Sequence, residues 1–175
     1  HEVDAIVFCT GFDVTNQGAQ FSIKGKGGID LSKHWEKGMH AYLGITTRNF
    51  PNAYFLAGPN TGLGHNSIII MIEAQARYIG QALKFMKTQG VESLEVKKED
   101  EDQFNDKLHA QMSKSVWTSG CASWYLDESG KNTTVWPSFT CDYVLRTRNS
   151  NADVYDTKGG ELERKSLVKR LLARI

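Results

Sequence analysis

The chain has 175 residues, 40% hydrophobic and 23% charged, with a formal net charge of +1. That size and balance fit one ordinary globular domain, and the near-neutral charge excludes a general nucleic-acid binder, which carries a strong basic excess. The longest apolar run, Ile68 to Ile72, falls far short of the roughly 20 residues that span a bilayer. No signal peptide opens the chain. Cys9, Cys121 and Cys141 form no C-x-x-C pair, which disfavours a disulfide framework and a zinc site and predicts reduced thiols in a cytoplasmic protein. The triplet Asn132-Thr133-Thr134 matches a glycosylation acceptor, but no secretion signal accompanies it.

Residues 3–9, with the run Ile6-Val7-Phe8, read as a strand covered on both faces. A central strand at the extreme terminus predicts a piece of something longer. A turn at 10–13 leads to a polar stretch with Gly25, Gly27 and Gly28 that predicts a short hairpin. Residues 42–45 form a short expected strand and 53–57 a second, ending at Gly58-Pro59-Asn60. The loop 61–66 feeds the longest helix, about 67–89, capped by Ser67 and closed by Gly90. Its first turns are apolar on all sides, and later turns keep a stripe at Ala76, Ile79, Leu83 and Met86. A deeply buried N-terminal half and a half-exposed C-terminal half follow. A brief strand at 93–96 precedes a charged helix over 99–116, with Phe104, Leu108 and Met112 on one face. Trp117, Trp124, Tyr125, Trp136 and Phe139 crowd the next segment, and Pro137 and Ser138 open a helix to about Arg148. Residues 161–175 form a basic amphipathic helix with Leu167, Leu171 and Ile175 on its stripe. Subunit contact or simple solvation ranks above a membrane surface for this tail.

The strand, glycine-bearing loop and helix from Tyr54 to Gly90 carry the chemistry. A helix start leaves unpaired N–H groups and a partial positive charge, and glycines before it let a flat ligand approach the backbone. That suits a phosphate or the pyrimidine edge of a reduced flavin. An ordinary βα connection with a tight turn is the competing reading, since neither G-x-G-x-x-G nor the Walker lysine is present here. Asn60 and Asn66 are the leading ligand contacts, because an amide both donates and accepts; loop capping competes equally. His65 is either a pH-sensitive neighbour of the ligand or a solvated loop histidine. His34, His40 and His109 share no metal-ligand spacing, and Cys121 has no base beside it in sequence and reads as structural.

Asp4 through Phe12 resembles the D-x-[IVL]-[IV]-x-[AC]-T-G-[FY] stretch of flavin-dependent monooxygenases, which closes their NADPH domain. Tyr54 through Asn60 is similar to their last FAD-domain strand and its G-P-N turn, and Asn66 through Gln75 to the helix facing the isoalloxazine ring. The block Trp117 to Tyr125, with Gly130-Lys131-Asn132 and Trp136-Pro137, resembles the Baeyer–Villiger branch in particular. The similarity reaches about Tyr155.

The resemblance implies an α/β chain: part of a doubly wound, Rossmann-like FAD-binding domain with one strand of the neighbouring NADPH domain, an incomplete fold. Residues 1–12 would end the NADPH domain, 13–160 belong to the FAD domain with its active-site loop, and 161–175 form the tail. It implies FAD and NADPH as cofactors, with contacts at Gly11, Gly58, Asn60, Asn66, Ser67 and Ile68. Trp124 and Lys131 would lie in the loop over substrate and NADPH; for the tryptophans core packing is the alternative. The parent reaction would insert one oxygen atom from O2 into a ketone, giving an ester or lactone. No catalytic residue falls on this chain: the two glycine motifs, the F-x-G-x-x-x-H-x-x-x-W stretch and the family's arginine beside the flavin are absent from it. The expected partner is the N-terminal part of the same protein or a second copy. An N- or S-oxygenating monooxygenase, and a non-catalytic assembly module derived from a flavoenzyme, are the alternatives.

Overall fold

The computed structural model describes residues 2–8, 22–118, 125–127 and 129–160. The described elements run α1 (Leu31–His34), α2 (Ile68–Gln89), β1 (Ser93–Val96), α3 (Lys98–Met112), α4 (Thr140–Arg146) and β2 (Tyr155–Lys158), with short 3-10 turns between them. Helix α2 begins as expected: the Ser67 hydroxyl accepts from the Ile69 N–H at 3.3 Å. It ends at Gly90, whose φ of 65° places it in the left-handed region while its N–H returns to the Met86 carbonyl. Among the described residues no helix is long and apolar enough to cross a membrane.

β1 pairs antiparallel with β2, Ser93 opposite Lys158 and Val96 opposite Tyr155. The inner faces of this ribbon meet α2 through Tyr78, Ala82, Leu94, Val96, Val154 and Tyr155, joined by Leu43 and Ile45. A second cluster of Met71, Ala74, Leu108, Trp136 and Tyr143 ties α2 to α3 and α4. A third, Leu31, Trp35, Met39 and Phe50, lies beneath the N-terminal loops. Each large side chain buried there stabilises the fold by roughly 1.5–3 kcal/mol before entropy is counted.

Several expected elements take another form. Residues 2–8 form no strand, and Val3, Ile6, Val7 and Phe8 are exposed. Residues 42–45 are a tight turn closed by the Tyr42–Thr46 pair, with Leu43 and Gly44 at φ 55° and 65°. Residues 53–57 form no strand: Leu56 and Ala57 bend, with Ala57 at φ 53°, and while the Phe55 N–H donates to the Ile45 carbonyl at 2.8 Å, those of Ala53 and Ala57 go to the Phe50 carbonyl and the Gln75 side chain. A strand is a pairing and not a local property, and none of these runs finds a ladder among the described residues. The helical class and the two-stranded sheet make the chain α/β; β2 had no clear signal, because Tyr155-Asp156-Thr157-Lys158 is mostly polar.

The start of α2 is not deeply buried: Ile69 and Ile70 are exposed and only Met71 is enclosed. The inward stripe is Met71, Ala74, Gln75, Tyr78 and Ala82, with Ala76 and Leu83 facing out. Tyrosine and glutamine rank low by hydrophobicity, so the pattern pointed to the neighbouring face. α3 stops at Met112, with a separate 3-10 turn at Val116–Thr118, and α4 is shorter than the expected 137–148. The glycine stretch makes a 3-10 turn at Lys26–Gly28 bracketed by a Lys24–Asp30 bridge, close to the expected hairpin. Gly11, Cys9, Cys121, Trp124 and the 161–175 tail lie outside the described residues.

Candidate functional site

The loop between Ala57 and Ser67 is held from three sides. From α2, the buried Gln75 side chain accepts the Ala57 N–H at 2.9 Å. From behind, Gly44 and Gly58 press backbone to backbone: a Cβ on Gly58 would lie 2.3 Å from the Gly44 carbonyl oxygen, and one on Gly44 2.6 Å from that of Pro59. No other residue fits either place without displacing main chain. The 42–46 turn that presents Gly44 is itself fixed by the Tyr143 hydroxyl, which donates to the Leu43 carbonyl at 2.6 Å. Burial pushes that phenol above its ordinary range.

From the third side, residues 132–136 are stitched on. Asn60 donates its N–H to the Thr133 carbonyl at 2.8 Å and its Nδ2 to the carbonyls of Asn132 and Val135 at 2.8 and 3.2 Å. Gly62 and Val135 form a parallel bridge, with the Gly62 N–H donating to Thr134 and the Trp136 N–H returning to Gly62, both at 2.8 Å. Asn132 shapes its own turn by accepting the Thr134 and Val135 N–H groups on Oδ1. A cavity of about 190 Å³ remains, lined by Ala57, Gly58, Pro59, Ile68, Thr133 and Thr134 among others. Uncovered apolar side chains flank the loop in sequence, Leu56 before it and Ile69 and Ile70 after it.

Gly58 and Ile68 thus share one cavity. Asn60 lies beneath the loop, 2% exposed, at φ 56°, its Oδ1 without a hydrogen-bond partner among the described residues. Asn66 and Ser67 are exposed at the outer end, where Asn66 Oδ1 accepts the Ser67 N–H at 2.8 Å, a capping contact. His65 is exposed. The Trp117 indole lies on Gly64, where an added Cβ would meet it at 2.5 Å, and packs edge-on against Tyr125. Trp136 is core, 2% exposed and edge-on to Tyr143. Lys131 faces a separate polar cleft of about 350 Å³.

That second cleft adjoins a buried polar chain the sequence did not announce. Glu101, 0% exposed, accepts from the Thr47 hydroxyl at 2.7 Å and from Arg48 at 2.9 Å; Arg48 also pairs with Asp102. Burial raises the Glu101 pKa against those donors. His34 Nε2 lies 3.2 Å from the same Thr47 oxygen. Since that hydroxyl gives its proton to Glu101, the histidine must donate, which fixes its tautomer. Burial first, then His40 and Arg48, push His34 down to about 4. The rings of His34 and His40 are 4.8 Å apart. Glu101 sits in a run of acids on a charged helix, and only its packing distinguishes it from Glu99 or Asp100. Gln75 hides in the same way, its one local signal being a place three residues before the inward Tyr78.

No family model matches the chain. It is 47% identical over 156 residues to a Baeyer–Villiger monooxygenase of Pseudomonas aeruginosa and 41% identical to one of Streptomyces coelicolor, in each case over 88% of this chain. Among solved structures it matches the closed crystal structure of cyclohexanone monooxygenase over 91% of its length, at 27% identity and a TM-score of 0.76. It matches OTEMO in complex with FAD and NADP over 90%, at 24% identity and a TM-score of 0.74, a likeness of fold. The chain spans about 30% of the length of these relatives. Over nearly nine-tenths of its own length the chain is therefore a homologue of one stretch of the Baeyer–Villiger-type flavin-containing monooxygenases.

Proposed function

We propose that this chain supplies the flavin-facing wall of an FAD- and NADPH-dependent Baeyer–Villiger monooxygenase, as the C-terminal part of a doubly wound FAD domain. Residues 1–12 close the NADPH domain in this reading, and 13–160 belong to the FAD domain. The observation that carries it is the 57–67 loop: backbone packed so closely that only glycine fits at Gly58, opening on a cavity beside the start of a 22-residue helix. The residues suit a flat, partly anionic ring. Gly58 lets the main chain approach it, Ile68 gives a dry wall, and the helix start offers positive potential. Asn60 through its Oδ1, and Asn66 and Ser67 at the outer end, are the polar contacts, with Gly11 contributing from the preceding segment. FAD reduced by NADPH supplies the oxygen-activating chemistry when bound. Lys131 and Trp124 act on the substrate and nicotinamide side, where the chain excludes water from the reacting centre.

The apolar surface at Leu56, Ile69 and Ile70 asks for cover. We assign that cover to the remainder of a parent protein or to a second copy of this chain. The test is to express the full reading frame that contains these residues and to measure flavin retention and NADPH-driven turnover. Retained FAD with ketone turned over to ester or lactone supports the reading. Turnover of amines or sulfides alone would place the protein in the N- or S-oxygenating branch, and absence of flavin would leave an assembly module.

A further inference from the structure

We propose that Gln75 and Tyr143 are positioning residues that hold the cavity-lining main chain at Gly58 in place, each by fixing a left-handed residue beside one of the two glycines that meet there. Among the described residues, five that are not glycine have positive φ. Three are Asn49, Asn52 and Asn60, and asparagine adopts that conformation more readily than most residues with a Cβ. The other two are Leu43 at 55° and Ala57 at 53°. They immediately precede Gly44 and Gly58, the two glycines whose backbones press together. An ordinary side chain persists in this region only where its surroundings over-determine it, and such outliers gather at functional sites.

Both residues are fixed at their own backbone by a fully buried side chain. Gln75 on α2 accepts the Ala57 N–H at 2.9 Å, and the Tyr143 hydroxyl on α4 donates to the Leu43 carbonyl at 2.6 Å. Ala57 itself is exposed, so water can take its N–H in any conformation, whereas the buried amide offers a partner in one only. Burial raises the Tyr143 pKa and the Gln75 side chain draws it back down, which places the two braces side by side between α2 and α4. Asn60 needs no such brace, because its own Nδ2 ties it to Asn132 and Val135. Without Gln75 and Tyr143, Ala57 and Leu43 are free to relax toward negative φ, and the segments that bring Gly44 against Gly58 part. Ala57, Gly58 and Pro59 line the cavity of about 190 Å³, so the braces set where its wall stands. The consequence for a flavin rests on the function proposed above; the brace itself does not.

The test begins with NMR of the unsubstituted 175-residue chain. Ala57 should show the short intraresidue amide-to-Hα contact of a positive φ, and its N–H should exchange slowly although the residue is exposed. A negative φ, or exchange as fast as in an unstructured peptide, overturns the proposal. Gln75→Leu keeps the bulk and removes the acceptor, and should speed Ala57 exchange about tenfold, the ratio expected for one hydrogen bond. It should also shift the Gly44 amide resonance across the contact. Ala57→Gly removes the cost of positive φ, so in the Gln75→Leu background it should return the Gly44 resonance toward its parental position, which a merely structural loss would not do. Tyr143→Phe should shift the Gly58 amide from the other side. A Gly44 resonance that Gln75→Leu leaves in place, or that Ala57→Gly fails to restore, overturns the proposal. In the full reading frame that contains these residues, Gln75→Leu should release flavin about tenfold more readily, and Ala57→Gly should restore retention. Unchanged release with Gly44 displaced removes the positioning role. A parent frame that retains no flavin defeats the flavin reading instead, and the brace is then decided on the 175-residue chain alone.

Discussion

Replacing Thr47 with valine removes one hydroxyl from a position that is fully buried and keeps its shape. That oxygen both accepts from His34 Nε2 at 3.2 Å and donates to Glu101 at 2.7 Å. Two contacts are lost, one of them to a buried acid that already bears a burial cost. A neutral hydrogen bond contributes about 1 kcal/mol and one to a charged group about 1.5–3 kcal/mol, so the expected loss is about 2.5–4 kcal/mol. Thr47→Ser retains both contacts and gives up one methyl, worth about 1 kcal/mol. Urea denaturation of the two variants and the parent chain, at one protein concentration because association shifts apparent stability, measures the difference. The chain of donation from His34 to Glu101 is wrong if valine costs no more than serine does.

The His34 shift also fixes a pH dependence. Its folded pKa, about 4, lies below the ordinary 6.5, so the folded state favours the neutral ring. Stability from this group is complete above pH 6.5 and is lost as pH falls toward 4, by about 1–2 kcal/mol once solvent screening of a half-buried ring is allowed for. Glu101 acts oppositely, since burial raises its pKa and acid relieves it, and burial pushes His109 down as it does His34; a pH series comparing Glu101→Gln with the Glu101→Gln, His34→Gln double variant therefore isolates His34, and identical profiles would contradict the assignment. Gly58→Ala places a Cβ 2.3 Å from the Gly44 oxygen and should cost at least about 2 kcal/mol by chemical denaturation, through overpacking against main chain; Gly27→Ala, where the Cβ meets nothing within 4 Å, should cost only the strain of its positive φ, about 1–2 kcal/mol. Ile69→Asp together with Leu56→Asp should shift the chain toward smaller species in analytical ultracentrifugation, and an unchanged distribution would show that this surface does not drive association.

Much of the local punctuation was legible. Ser67 and Gly90 bound α2 for reasons that operate within one turn: a hydroxyl near a free N–H and a residue tolerant of positive φ. The Ser93–Val96 strand, with its alternating burial, and the one-sided α3 followed from spacing. Among the described residues the strands expected at 3–9, 42–45 and 53–57 find no ladder, because apolar runs state only what a segment would do if neighbours came to it. Residues 42–45 instead turn back on themselves, as Gly44 allows and as the Tyr143 hydroxyl requires from a hundred positions away.

The candidate site divides in the same way. Order and spacing of short motifs, from Tyr54 through Trp136, determined the family resemblance and drew attention to the glycine-bearing loop before α2, since backbone chemistry and chain direction are written locally. Only the tertiary structure decided that Asn60 turns its amide nitrogen toward Asn132 and Val135, that Gln75 holds Ala57, that Glu101 is enclosed beside Thr47 and Arg48, and that Lys37 and Lys131 flank one cleft. Burial and hydrogen bonding depend on which distant residues meet, and a polar side chain carries no mark in its own neighbourhood of whether water or protein will satisfy it.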